Sequence, residues 1–319
     1  MKKRNIIIAM VLAMAMTTVG GATVFAADEK AEGNDYTIAY VPTTMNNPFW
    51  TAMMGGIKEE MEAKGMDVDK QLVTVDANSD QATMNNYVND LIAQQVDAII
   101  LAPMDCTAVT EALIACEEAG IPVINVDTAV DATDKVVSII ASDNYKAGVE
   151  CAEDMMSKLD KGAKIAVMNQ PSGTACVQRE KGFLDTAGDY FEIVSTTDTE
   201  GDTAKTMTAA EDVLTADDDL AGFFCINDMG ALGCVQAAQA AGKEDLLIYG
   251  VDGNPDFMGY VADGSATASA AQQPSVIGQK ALDAAIDTLD GKEVEHDQVV
   301  DVVLINKDNI ADFDVTDWQ

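Results

Sequence analysis

Short apolar segments alternate with longer amphipathic segments along almost the whole chain. In the first half, strand-like runs at residues 71–75, 98–101 and 122–126 are separated by stretches whose apolar residues recur at helical spacing. The pattern begins again after an apolar run at residues 136–141 and continues to about residue 251. Strands that alternate with helices in this way predict parallel sheets covered by helices on both faces. The sequence therefore predicts an α/β protein with two similar doubly wound lobes.

The stretch from Thr37 to Met61 reads as a strand, a polar loop and a helix. Pro42 breaks the strand, and apolar residues recur every four positions from Phe49 onward. Asn46 or Asn47 can cap this helix, which leaves the next position for a proline without an N–H group. In an open α/β sheet, the loop after the carboxyl end of a strand faces the crevice in which ligands bind.

This loop and the start of the helix carry groups that suit a polyol. Thr43 and Asn47 offer a hydroxyl and an amide for hydrogen bonds, while Phe49 and Trp50 can cover an apolar ligand face. The alternative is that the amides only cap the helix and the aromatic rings only fill the core. These residues alone leave both alternatives open.

The first 26 residues have the features of a signal peptide. Three basic residues precede an apolar run from Ile6 to Met16, and small residues lead to Ala26. The run is too short to cross a bilayer as a helix, and no later stretch of about 18 apolar residues follows. We predict cleavage after Ala26 and an exported protein, periplasmic or extracellular, that does not insert into a membrane.

The chain is strongly acidic, with 54 Asp and Glu residues against 19 Lys and Arg residues and a formal net charge of −35. Such a surface repels phosphate backbones and anionic membranes, so no nucleic-acid partner is predicted. A chain of 319 residues is longer than most chains with a single hydrophobic core, which also favours two domains.

Six cysteines are widely spaced and include no C-x-x-C pair. They are Cys106, Cys116, Cys151, Cys176, Cys225 and Cys234. Most lie within apolar strand or helix patterns, which is typical of small buried side chains. One disulfide remains an open alternative, and the spacing predicts no metal site.

Polar residues follow the ends of the predicted strands in both halves. They are Asp105, Asp127, Asn169, Gln170, Asn227, Asp228 and Asp252. If both sheets point their carboxyl ends at one cleft, these side chains converge there. The alternative is that they are ordinary polar residues at strand ends.

Arg179 is the one arginine after Ala26, against 15 lysines. It lies on a helix predicted near residues 176–186, close to a strand end. Its planar fork of donors can bind two ligand hydroxyls while offsetting Asp127 and Asp252. The resulting charge near −1 favours a neutral ligand over an acid. A surface arginine without a ligand role is the alternative.

Several motifs together resemble the periplasmic sugar-binding proteins of the ribose-binding group. They are NNPFW at 46–50, VINVD at 123–127, IASDN at 140–144, R-x-x-G-F at 179–183, IND-x-x-ALG at 226–233, G-x-DG-x-PD at 250–256 and AQ-x-P at 271–274. The resemblance implies a type I periplasmic binding protein, with two Rossmann-like lobes joined by a three-segment hinge. It places the N-terminal lobe at 36–141 and 273–301, and the C-terminal lobe at 142–272 and 302–319. It also implies delivery of a sugar to an ABC-type permease.

The resemblance implies that nine residues of this sequence occupy the positions of the sugar contacts in that family. They are Thr43, Asn47, Phe49, Trp50, Asp127, Arg179, Asn227, Asp252 and Gln272. Two positions depart from the ribose binders, which carry an arginine where this chain has Thr128 and an aromatic residue where it has Gly201 or neighbouring Asp202. These departures argue against ribose itself and predict that a different or larger polyol uses the vacated space.

Motifs of enzymes and nucleotide-binding proteins are absent from the sequence. The single histidine, His296, lies in a charged loop, and no P-loop, dinucleotide fingerprint or nucleophile elbow occurs. The sequence thus favours a monomeric, non-enzymatic receptor for a neutral monosaccharide or polyol, without a cofactor. Two alternatives remain: a sugar sensor for a chemoreceptor or sensor kinase, and a sugar lyase or isomerase that uses Asp127 and Asp252 as acid and base.

Overall fold

Two six-stranded sheets, each covered by helices on both faces, make up the described part of the protein. The structure is a computed structural model that describes residues 35–243 and 245–318. The predicted signal peptide, residues 1–26, lies outside the described residues. Within them, no helix is long and apolar enough to cross a membrane.

The first sheet has the strand order β11-β5-β4-β3-β1-β2, and all of its neighbouring strands are parallel. Its strands are β1 (Ile38–Val41), β2 (Leu72–Thr74), β3 (Ala98–Leu101), β4 (Val123–Val126), β5 (Ser138–Ser142) and β11 (Asp297–Val300).

The second sheet has the order β12-β10-β9-β8-β6-β7 and is parallel except for the β10–β12 pair. Its strands are β6 (Lys164–Asn169), β7 (Glu192–Asp198), β8 (Gly222–Cys225), β9 (Leu247–Asp252), β10 (Ala268–Ala271) and β12 (Val303–Asn306).

Helices connect successive strands and cover both sheets. They are α1 (Pro48–Ala63), α2 (Val68–Gln71), α3 (Gln81–Gln94), α4 (Thr110–Ala119), α5 (Asn144–Lys158), α6 (Thr174–Ala187), α7 (Thr203–Ala216), α8 (Asp228–Ala241), α9 (Pro255–Asp263) and α10 (Pro274–Leu289). The predicted fold class is confirmed. Sequence patterning missed α9 and the strands after it, because they lie beyond the last clear alternation of apolar segments.

Packing assigns the helices to two lobes. The first sheet packs with α1 to α4 and α10, and we call this body the first lobe. The second sheet packs with α5 to α9 and forms the second lobe. The helix α10 packs closely against α1 in the first lobe, because Gly56 and Gly278 have no side chains that would keep the two helices apart. A Cβ atom at Gly278 would lie 2.2 Å from the carbonyl oxygen of Met53.

Between β5 and β12 the chain passes between the lobes at three places. It leaves the first sheet after β5 and enters α5, returns between β10 and α10, and leaves again between β11 and β12. Each passage takes one or two residues, and all three lie where strands end at the same edge of their sheets.

The antiparallel direction of β12 follows from the third crossing. The parallel strand β11 runs to the edge of the first sheet that faces the second lobe and ends at Val300. Only Asp301 and Val302 separate it from β12. The chain therefore enters the second sheet at the carboxyl end of β10 and runs away from it, so Ala271 pairs with Val303 in the antiparallel sense.

Candidate functional site

A cavity of about 180 Å³ lies between the lobes, beyond the carboxyl ends of the strands. All nine residues predicted as ligand contacts line it: Thr43, Asn47, Phe49, Trp50, Asp127, Arg179, Asn227, Asp252 and Gln272. Its volume is below the range of about 300–1,000 Å³ that suits drug-sized molecules, which points to a small ligand.

An ion pair and an amide form the second-lobe wall of the cavity. Arg179 on α6 is buried, and its Nη1 lies 3.1 Å from Oδ1 of Asp252 at the end of β9. The amide of Gln272 donates to the same Oδ1 at 2.7 Å. Both contacts use one carboxylate oxygen, and Oδ2 of Asp252 accepts no hydrogen bond from the described residues.

The guanidinium of Arg179 is held in place by two further contacts. Its Nε donates to Oδ1 of Asn144 at 2.7 Å, and its Nη1 donates to the carbonyl of Ile226 at 2.8 Å. These bonds use Nε and Nη1. Among the described residues, no partner occupies Nη2, whose two N–H groups can donate to a ligand hydroxyl or ring oxygen.

Two buried acceptors at the cavity have no hydrogen-bond donor within the described residues. They are Oδ1 of Asp127 and Oε1 of Gln272. The other carboxylate oxygen of Asp127 accepts from the hydroxyl of Thr128 at 2.9 Å. Because an unpaired buried acceptor is costly, these atoms suit a ligand that brings O–H donors.

Burial controls the protonation of the two carboxyl groups. Desolvation raises the pKa of Asp252 to about 6, while the positive charge of Arg179 opposes that rise. Desolvation likewise raises the pKa of Asp127, again against the charge of Arg179. For Arg179, burial is the largest single effect and favours the neutral form. The charges of Asp252 and the other acidic groups nearby together outweigh it, so the pKa rises and the guanidinium stays charged. The cavity wall thus holds a permanently charged guanidinium near two carboxyl groups whose pKa values are raised by burial.

Asp127 and Asp252 both lie on backbone with positive φ, 63° and 136° respectively. Such conformations are uncommon for residues other than glycine and often mark binding sites. Backbone bonds hold them: Asp127 N donates to the carbonyl of Ile140, and Gln272 N donates to the carbonyl of Asp252, each at 2.9 Å. The turn after each strand therefore aims its carboxylate into the cleft.

Residues of the loop before α1 and of its first turn cap the helix, fill the core and line the cavity. Asn47 caps the helix, because its Oδ1 accepts from the N–H of Phe49 at 3.0 Å. Phe49 and Trp50 are buried in the core of the first lobe and also line the cavity. Capping uses only the oxygen of Asn47, so its NH₂ group is left as a donor toward a ligand.

Two amide groups lie close to Gly201. A Cβ atom on Gly201 would lie 2.6 Å from Nδ2 of Asn227 and 2.9 Å from Oε1 of Gln170. Gly201 itself lines the cavity, and the use of space beside Gly201 or Asp202 by a larger polyol stays a prediction. Amide groups stand where a side chain at this position would project, so the wall is polar.

Not every polar residue at a strand end reaches the cavity. The side chain of Asp105 accepts from the N–H of Thr107, and Asn169 donates to Glu180. Asp228 is buried and binds the N–H of Asn254 and the hydroxyl of Ser269. For these three residues the predicted convergence is wrong, because local loop and packing contacts claim their side chains.

Sequence reasoning did not select several polar residues that line the cavity: Thr44, Ser79, Thr128, Gln170, Cys176 and Glu200. Gln170 was signalled only by its place after a strand. Glu200 adds a third carboxylate to the lining, so the formal charge is −2 rather than the predicted −1. Its ion pair with Lys205, 2.6 Å long and exposed, offsets that charge at the rim.

The cysteines are free thiols in the structure. Four are buried, as predicted, while Cys106 and Cys176 are half-buried. Cys176 lines the cavity, and burial raises its pKa to about 12, so it stays protonated at neutral pH. The Sγ atoms of Cys225 and Cys234 lie 3.4 Å apart within the second lobe.

Comparison with known proteins identifies the family. Residues 38–293 match the periplasmic binding protein domain. The chain belongs to the periplasmic binding protein family. Its motifs had indicated the ribose-binding group, and the ribose import binding protein of Bacillus subtilis is 36% identical over 82% of this chain and 84% of the relative. The D-allose-binding periplasmic protein of Escherichia coli is 26% identical over 84% of this chain and 89% of its own length.

Solved structures of periplasmic binding proteins show the same two-lobed fold. An ABC transporter solute-binding protein from Agrobacterium vitis with bound D-fucose is 31% identical, has a TM-score of 0.80 and covers 86% of this chain and 96% of its own. One from Mycobacterium smegmatis with bound glycerol is 29% identical, with a TM-score of 0.81, and covers 87% of this chain and 96% of its own. The cavity of this periplasmic binding protein thus lies in a fold that holds small polyols in other members.

Proposed function

We propose that this chain is an exported solute-binding protein that holds one neutral monosaccharide or polyol between its lobes and delivers it to an ABC-type permease. What supports this most is the meeting of Asp127, Arg179 and Asp252 with amide and aromatic side chains around one small cavity. Relatives named as ribose and D-allose binders support the same ligand class.

Ligand hydroxyl groups can bind the donors and acceptors of the cavity wall that have no partner among the described residues. Oδ1 of Asp127, Oδ2 of Asp252 and Oε1 of Gln272 accept from hydroxyls, and Nη2 of Arg179 donates to ligand oxygens. Phe49 and Trp50 cover the C–H surface. A ligand carboxylate would face two buried carboxylates across a single guanidinium, which disfavours acids.

Lobe closure is the proposed mechanism. The three crossings act as the hinge between an N-terminal lobe at 36–141 and 273–301 and a C-terminal lobe at 142–272 and 302–319. The ligand bridges Asp127 of one lobe and Arg179 of the other, so it binds the closed state better and shifts the population toward it. The permease then recognises the closed form of a monomer located outside the cytoplasm, and no catalysis or cofactor takes part. Micromolar affinity, about −8 kcal/mol, is sufficient for this role.

A thermal-shift screen of the purified chain lacking residues 1–26 tests the ligand class. Pentoses, hexoses, deoxyhexoses, inositols and glycerol are compared with amino acids, nucleosides and sugar acids. We expect at least one neutral sugar or polyol to raise the melting temperature with saturable concentration dependence. If only an amino acid, a nucleoside or an acid does so, the proposed ligand class is wrong. Incubation with the tightest ligand, followed by NMR of the solution, should return that ligand unchanged; a product would instead support the lyase or isomerase alternative.

A further inference from the structure

The last described residues pass between the lobes a fourth time. After a short 3-10 helix at Ile310–Asp312, Phe313 and Val315 pack against the core of the second lobe. Three residues later, Trp318 packs against the core of the first lobe. We call residues 313–318 the C-terminal strap. It lies beyond the residues that match the family domain, which end at 293.

Trp318 reaches the ligand cavity indirectly, through Phe49. The two ring centroids lie 5.7 Å apart at an interplanar angle of 74°. Phe49 in turn meets Trp50 edge-on, with 5.0 Å between centroids. Phe49 and Trp50 line the cavity, whereas Trp318 lines a surface groove on the outer side, next to Pro48 and Ser275. Trp318 therefore contacts Phe49 without lining the cavity itself.

The strap is anchored in one lobe and makes its aromatic contact in the other. In this structure the lobes also touch directly, since Thr174 Oγ1 of the second lobe donates to the carbonyl of Ala129 in the first lobe at 3.1 Å. If the lobes separate, the strap either loses the contact of Trp318 with Phe49 or detaches Phe313 and Val315. The closed arrangement keeps both sets of contacts, and the open arrangement loses one of them. The strap therefore favours closure.

We propose that Trp318 is a positioning residue for ligand binding: it seats Phe49 against the ligand and, through the strap, stabilises the ligand-holding arrangement of the lobes. The inference rests on the proposed function. An edge-to-face aromatic pair contributes about 0.5–1.5 kcal/mol, which corresponds to a roughly two- to tenfold change in affinity. Because the strap keeps both of its contacts only while the lobes are together, loss of the Trp318 contact should act mainly on the rate of ligand release.

Stopped-flow binding kinetics of the mature protein with the best ligand of the screen test the proposal. Trp318→Ala should raise Kd roughly two- to tenfold, mostly through faster release, and Trp318→Phe should restore most of the loss. Tyr190→Ala serves as the matched control, because Tyr190 makes an edge contact with Phe191 at 5.0 Å within the second lobe. The control should lower the melting temperature without changing the release rate.

Fluorescence gives a second readout, since the chain has two tryptophans, Trp50 and Trp318. In a Trp50→Phe variant, the emission of Trp318 should shift when ligand is added to saturation. Unchanged emission, or an unchanged release rate in Trp318→Ala, would overturn the role of the strap while the wild-type protein still binds its sugar. If the wild type binds no sugar or polyol, the proposed function fails instead, and the two failures are thereby distinguished.

Discussion

Arg179 and Asp252 form a buried ion pair in the cavity wall, with 3.1 Å between Nη1 and Oδ1. The pair joins α6 to the end of β9, and its geometry leaves Nη2 of the arginine and Oδ2 of the aspartate for a ligand. The same ion pair thus offers one donor group and one acceptor. That arrangement suits the adjacent hydroxyl groups of a sugar, which both donate and accept hydrogen bonds.

Arg179→Ala should weaken ligand binding at least tenfold, because truncating a buried charged donor removes ligand bonds and leaves Asp252 unpaired. Isothermal titration calorimetry measures the loss, and circular dichroism checks that the fold persists. Lys181→Ala is the matched control, since Lys181 lies on the same helix, is exposed and pairs with Asp185. A dissociation constant equal to that of the wild type in Arg179→Ala would remove Arg179 from the site.

Binding should weaken as the pH falls below about 6. The pKa of Asp252 is raised to about 6 by burial, and a ligand hydroxyl that donates to this group favours its charged form. Affinity should therefore fall by roughly tenfold per pH unit below that value, with proton release on binding near it. Calorimetry in buffers of different ionisation enthalpy measures the released protons. Asp252→Asn should bind more weakly and lose this pH dependence; a wild-type affinity that is flat between about pH 5 and 7 would contradict the assignment.

The same raised pKa of Asp252 sets the sign of a stability effect in the ligand-free protein. Between the ordinary carboxyl pKa near 4 and the folded value of about 6, the native state holds more protons than the unfolded state. The contribution of this group to the free energy of unfolding therefore falls as pH rises through that window. Asp252→Asn should flatten this part of the stability profile, as followed by urea unfolding without ligand.

Asp127→Asn should raise the melting temperature of the ligand-free protein at pH 8 while weakening ligand binding. Burial raises the pKa of Asp127, so keeping it charged at this pH costs folding free energy that a neutral amide does not. Asparagine also tolerates the positive φ of 63° at this position. Asp189→Asn, an exposed change, should alter neither property. A lower melting temperature together with unchanged affinity would show that Asp127 is structural.

Gly201→Ala should lower ligand affinity, because the new Cβ would lie 2.6 Å from Nδ2 of Asn227 and displace that amide from the cavity wall. Gly162→Ala separates this effect from backbone strain. Gly162 has a φ of 86°, and apart from its chain neighbours no described residue has an atom within 4 Å of the point where its Cβ would stand. Its substitution therefore adds only the strain of a left-handed backbone. Both variants should lose about 1–2 kcal/mol of stability, and only Gly201→Ala should bind less tightly. Equal affinities would mean that Asn227 does not contact the ligand.

Local patterns were enough to predict most of the framework. Alternation of short apolar runs with amphipathic stretches fixes strands and helices, because burying one face of each element is the dominant gain on folding. The start of α1 followed from Asn47 and Pro48, whose capping role depends only on neighbouring backbone. The nine candidate contacts came from motifs of the family, and the chain places them around one cavity.

Other features of the site depend on contacts between residues far apart in the chain. The sequence could not show that Gln170 and Asn227 close in on Gly201, or that Asp105 and Asp228 turn away from the cavity. The direction of a side chain at a strand end depends on the partners that packing brings close to it. Local propensity carries no information about those partners.

The sequence by itself determined the α/β class, the two-lobed organisation and the residue types that a polyol site needs, because these depend on periodicity and on chemistry carried by short motifs. Only the tertiary structure decided which carboxylate oxygens and N–H groups lack a partner among the described residues, and that Trp318 packs edge-on against Phe49. Those facts depend on burial and on long-range contacts, which exist only once the chain has folded and distant segments meet.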